Sequence, residues 1–219
     1  MHETPVFTAP ASLYYSRYRV TMPKQGATIM ANTASGRSRG RTARAIETYQ
    51  PGNVALGTAT AVHAAVTDTG AQQVITTAIT SPDVPRTIIA TPGGTTGNVT
   101  AVSCIVAGTD ISGAVLTETL PAFAAGAATA RTSVNAFATV TSITQPAIGT
   151  AVTVSYGTTA QLGMPQRMSR NTVLAAYLAG VKEATPPTVT THATDRSKTL
   201  AQLNSALNGT AVVIDFYES

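Results

Sequence analysis

The stretch from Asn98 to Tyr156 alternates apolar and polar side chains, and this alternation constrains the fold more than any other feature of the chain. In its last segment Val152, Val154 and Tyr156 share one side, and Thr153 and Ser155 the other. A period of two marks a strand buried on one face only. The same habit runs through Val115–Leu120 and Phe137–Ile143, where threonine fills the outer side. Threonine is β-branched and polar, so it suits a pleated surface that meets water or another protein. Strands are expected at Asn98–Ala107, Ala114–Leu120, Phe137–Thr144 and Thr150–Tyr156, with Gly108-Thr-Asp-Ile-Ser-Gly113 as a hairpin connection. Short strands separated by turn residues predict an all-β protein, an antiparallel β-sandwich or barrel-like domain.

Upstream, Val54–Thr67, Gln72–Thr80 and Arg86–Thr91 read as further strands, with Ser81-Pro-Asp-Val-Pro85 as a break and Pro92–Gly97 as a turn. Downstream the character changes. Val173, Tyr177 and Val181 recur every four residues with Leu174 and Leu178 beside them, which predicts a helix over Asn171–Glu183 stopped by Pro186-Pro187. Its apolar stripe is a candidate oligomer or packing contact. Leu200, Leu203 and Leu207 predict a second short helix ended by Asn208-Gly209. Thr188–Thr194 reads as an edge strand and Thr210–Tyr217 as a closing strand. The organisation expected is an extended basic arm over 1–52, a β-sandwich core over 53–165, a helical and loop insertion over 166–209, and a closing strand over 210–219.

Charge divides the chain in two. Up to Gly52 there are seven basic residues, Arg17, Arg19, Lys24, Arg37, Arg39, Arg41 and Arg44, against Glu3 and Glu47; the remainder is slightly acidic. Charged residues make up only 11% of the whole, against roughly 25% in ordinary globular proteins. A surface so poor in charge suits a protein largely covered by neighbours, and it also suits a secreted β protein. The run Ala34–Arg44 has no hydrophobic periodicity and is expected to be disordered by itself in water. Leu13–Val20 is the arm's stickiest piece, because Tyr14, Tyr15, Arg17, Tyr18 and Arg19 are of the types enriched in interface cores. The Arg37, Arg39, Arg41 and Arg44 cluster has three readings: an arm lying across an acidic protein surface, a contact with nucleic acid phosphates, or solvated charge. The first is preferred, because the cluster is short and carries no interleaved aromatics.

Reactive chemistry is sparse. Cys104 has no cysteine to pair with, and His2, His63 and His192 have no second ligand at metal spacing. His192-Ala-Thr-Asp195 reads as a loop. Glu118 sits among threonines without an evident partner, and the other carboxylates are scattered singly. No metal, cofactor or catalytic residue is expected, and an enzyme such as a glycan hydrolase would need a carboxylate pair in a cleft. The first residues do not form a signal peptide and no run is long and apolar enough to span a membrane, so synthesis in a cytoplasm is expected.

Several segments together resemble tailed-bacteriophage virion proteins. They are Pro85-Arg-Thr-Ile-Ile, Gly108-Thr-Asp-Ile-Ser-Gly, Leu116-Thr-Glu-Thr-Leu120, Phe137-Ala-Thr-Val-Thr-Ser-Ile143, Leu162-Gly-Met-Pro165 and the closing Phe216-Tyr217. The likeness covers roughly Pro85–Pro165 and the last ten residues, and is to head decoration (cement) and head-fibre proteins. It implies a structural protein on the capsid exterior that binds the major capsid protein and copies of itself, with a trimer fitting shell sites of local threefold symmetry. The alternative is a tail or fibre module whose sandwich loops recognise a host glycan.

Overall fold

The computed structural model describes residues 45–217, so the arm residues Tyr14, Tyr15, Arg17, Tyr18, Arg19, Arg37, Arg39, Arg41 and Arg44 lie outside the described residues. The fold is all-β, as the alternation predicts. Among the described residues fourteen strands occur in chain order: β1 (Ile46–Val54), β2 (His63–Thr67), β3 (Gln73–Ile75), β4 (Arg86–Gly94), β5 (Ile105–Thr109), β6 (Val115–Thr119) and β7 (Arg131–Phe137), followed by β8 (Thr139–Gln145), β9 (Val152–Gly163), β10 (Val173–Leu178), β11 (Val181–Lys182), β12 (Thr188–Thr190), β13 (Leu200–Gln202) and β14 (Thr210–Tyr217). They form three sheets. The outer sheet has the order β3-β8-β5-β6, the central sheet β12-β13-β9-β4-β7 with β2 also on β9, and the terminal sheet β1-β14-β10-β11. All pairings are antiparallel.

Two cores result. In the first, Ile88, Ala90, Val154 and Tyr156 of the central sheet meet Val106, Val140 and Ile143 of the outer sheet, with Phe137, Leu120 and Ile148 at the margins. In the second, Val212, Ile214, Phe216, Ala176 and Leu178 of the terminal sheet pack on Leu162, Met164, Met168, Leu203 and Leu207. Each fully buried Val, Leu, Ile or Phe contributes about 1.5–3 kcal/mol, so these clusters outweigh any surface pair.

The twelve-residue β9 serves both cores, through Tyr156 at one end and Leu162 at the other. Between those positions stands Thr158, and beside it Arg86, which is only 1% exposed. The guanidinium donates to the Thr158 hydroxyl (3.3 Å) and the Ala55 carbonyl (3.0 Å), and pairs with Asp83 at 3.2 Å. Burial lowers the Arg86 pKa and Asp83 opposes that shift. A charge buried this way holds its place only while it is paired and hydrogen-bonded. The break Ser81–Pro85 therefore supplies the counter-ion for the seam between the cores.

Several expectations are corrected. Asn171–Glu183 is not a helix. It is the β10–β11 hairpin, turned by Ala179 (φ 53°) and Gly180 (φ 77°), the left-handed pair that a two-residue hairpin turn requires. A spacing of four is close to one helical turn but is also two strand periods, so the same apolar positions serve both. The second helix is absent as well: Leu200 lies in β13 and Leu203 and Leu207 are buried in connecting segments. The only helical element among the described residues is the 3-10 turn Thr96–Asn98, which closes the expected Pro92–Gly97 turn and takes in Asn98, expected as the first residue of a strand. Residues 46–52, expected in the arm, belong instead to β1, which pairs with β14 from Ile46–Tyr217 to Val54–Thr210. Strand β7 was missed, lying between the expected strands Ala114–Leu120 and Phe137–Thr144.

Candidate partner-binding face

Strands β6 and β8 place threonine where the alternation puts it. Val115, Thr117 and Thr119 are exposed on β6, while Leu116 and Glu118 turn inward. The register aligns these outward residues across the outer sheet. Val74, Thr144, Ile105 and Thr119 form one cross-strand row; Ser142, Ala107 and Thr117 form the next; Thr139, Thr109 and Val115 the third. No residue in these rows is charged or aromatic. Val74, Ile105 and Val115 are among the large apolar side chains left exposed, Val115 at 88%. A bulge between Ala107 and Gly108 inserts Thr141, whose hydroxyl donates to the Ala107 carbonyl (3.2 Å). Gly108 is required there: a Cβ would sit 1.9 Å from the Thr139 carbonyl oxygen.

The one charged residue of β6 is kept off this face. Glu118, for which the sequence showed no partner, accepts hydrogen bonds from the Val134 amide (2.6 Å), the Asn135 amide (3.0 Å) and Asn135 Nδ2 (2.8 Å). It thereby closes the side of the sandwich between β6 and β7. Spacing could not reveal this, because the donors lie sixteen and seventeen residues away in a bulged strand.

The other carboxylates are also engaged structurally. Asp110 builds the β5–β6 hairpin by accepting from the Ser112 amide (2.8 Å), the Ser112 hydroxyl (2.6 Å) and the Ala114 amide (3.0 Å), as the turn reading requires. Burial pushes the Asp110 carboxyl up, but these bonds and the charge of Arg196 outweigh it and leave it below the usual carboxylate range. Asp195 accepts from Ser197 and pairs with Lys198 at 3.2 Å; its amide donates to His192 Nδ1 (2.9 Å), which makes the His192–Asp195 segment a turn. A surface hollow of about 410 Å³ lies between Asp68 and Ala151, but Asp68 is engaged by the Gly70 and Gly149 amides. Among the described residues, no group of three or more His, Cys, Asp or Glu is placed to hold a metal ion, and no helix is long and apolar enough to cross a membrane. Cys104 is buried, its sulfur 3.2 Å from the Tyr156 hydroxyl oxygen.

The proposed oligomer stripe is divided by the hairpin. Leu178 belongs to the second core and Val173 packs against it. Leu174 and Val181 are exposed, and Tyr177 is half-buried opposite Val213 and Lys182. The outer side of the terminal sheet also carries Asp215, held by the Thr48 hydroxyl (2.7 Å), so it lacks the uncharged character of the outer sheet. Comparison with protein-family models, with curated proteins and with solved structures gave no match.

Proposed function

We propose that this chain is a structural component of a bacteriophage particle, a decoration (cement) protein that binds the outer surface of the major capsid shell and bridges its subunits. One observation carries the reading: charge is segregated, with seven basic residues in the segment up to Gly52 and none on the three threonine-rich rows of the outer sheet. A cationic arm gives reach and attraction to an acidic protein surface, and an uncharged sheet face can be covered at little desolvation cost. The likeness of Pro85–Pro165 to phage virion segments supports the same class. The role is mechanical and needs no cofactor. Burying arm and face together adds contact area to the shell and resists internal pressure.

Co-sedimentation with capsid shells stripped of this protein tests the reading. Full-length chain should bind saturably. Replacing Arg37, Arg39, Arg41 and Arg44 by Gln should weaken binding, more so at low salt, where exposed charges act over a longer range. Absence of shell binding, with binding to host-surface glycans instead, would overturn the capsid reading in favour of the tail or fibre module. Strong retention on duplex DNA, lost with the four arginines, would reassign the arm to nucleic acid.

A further inference from the structure

We infer that the outer face of the β3-β8-β5-β6 sheet is the seat of the folded body on the shell, and that it meets an uncharged patch of the shell protein. This rests on the proposed function and names the surface that performs it. The argument begins with what the face lacks. A sheet face that works in water usually carries lysine or glutamate, which keeps it soluble and blocks wrong pairing. Here Val74, Ile105 and Val115 stand among Thr144, Thr117, Thr119 and Ser142 with no charge between them, and Glu118 is turned inward onto Val134 and Asn135.

The chemistry of the face selects its occupant. Nucleic acid needs cations for its phosphates, and these rows hold none. A glycan or other small ligand needs a concave site with convergent polar groups, and this is an open pleated surface. A second copy is excluded as sole occupant by size. Four strands about 4.8 Å apart and about five residues long give a projected area on the order of 300 Å². A self-standing interface needs roughly 800 Å² from each partner. The face is therefore sized to be one part of a larger contact with the shell, and a dry one that salt does not screen.

The test uses the full chain and stripped shells, at low and high salt. Thr117→Lys and Thr119→Glu each place a charge in the face at an exposed position, with Val181→Lys on the terminal sheet as the control. Each face variant should keep the wild-type thermal midpoint and sedimentation state. Each should weaken shell binding by roughly tenfold or more at both salt concentrations, since an unpaired charge resists burial. Val181→Lys should bind as wild type. If wild type binds and both face variants bind equally well, the inference fails while the proposed function stands. If the face variants instead alter the association of free protein and leave shell binding intact, the occupant is a second copy and the inference is overturned. If wild type does not bind shells, both readings fall.

Discussion

The first core lies between two sheets, each wall a set of paired strands, whereas the second lies under one sheet and is closed on its other side largely by side chains from connecting segments, Val84, Met164, Leu203 and Leu207. In the first, alternation along β8, β5 and β9 determines what is inside. In the second, flexible methionine and leucine side chains fill an irregular space that no strand period dictates. Two cores of such different construction are joined because β9 runs through both and Arg86 is held at their seam, and they are expected to unfold together.

The largest effects test that cooperativity. Phe137→Ala in the first core and Phe216→Ala in the second should each cost about 3–5 kcal/mol. Denaturant unfolding should show a single shifted transition for both; a second, earlier transition in Phe216→Ala alone would mean that the terminal sheet unfolds independently. Next in size is the seam. Asp83→Ala leaves the Arg86 guanidinium buried without its counter-ion and should cost about 3 kcal/mol, and Asp83→Asn, which keeps an acceptor, should cost less. Equal stability of Asp83→Ala and wild type would show that the seam does not couple the cores.

Tyr156→Phe should cost about 1–3 kcal/mol, because Gln145 Oε1, which accepts from the Tyr156 hydroxyl at 3.0 Å, loses that buried donor. The phenols also set an alkaline limit. Burial pushes Tyr49, which packs against the second core, up to about 12, and raises Tyr156 in the first core further. Stability from these groups is complete below about pH 10, where the unfolded phenol still holds its proton, and is lost as pH rises through the folded values. Absorbance titration should find both phenols protonated until unfolding begins. The smallest effect is acidic. Asp110 and Asp195 are held below the usual range, Asp195 because bonds from Ser197 and Lys198 outweigh the upward push of burial. Their contribution is present above about pH 3.9 and disappears as pH falls through the folded values. Side-chain NMR titration of the two carboxyls should show midpoints below those of exposed aspartates.

Legibility followed the same division. Strands β6 and β14 and the Asp110 hairpin were readable because period two and turn chemistry act over a few residues. The uncharged face was readable for the same reason, as threonine on the outer side of Val115–Leu120 and Phe137–Ile143. The β10–β11 hairpin was not, because Val173, Tyr177 and Val181 satisfy both periods and the deciding residues, Ala179-Gly180, make a less obvious turn pair than Asn-Gly. The partners of Glu118, and Thr158 as an acceptor for Arg86, were invisible for a different reason. Their donors and acceptors are brought together by sheet register across sixteen to seventy-two residues, and no local pattern encodes that distance.

Pairing of Ile46 with Tyr217 has a practical consequence: the body begins and closes at one corner of one sheet. A load applied to the chain before Ile46 enters the body through β1, so its ladder to β14 is the first attachment to bear it. The same corner makes the body a candidate for circular permutation. Linking the residues after Tyr217 to those before Ile46 would bridge a single rung, and new ends opened at Ala179-Gly180 would interrupt only a two-residue turn.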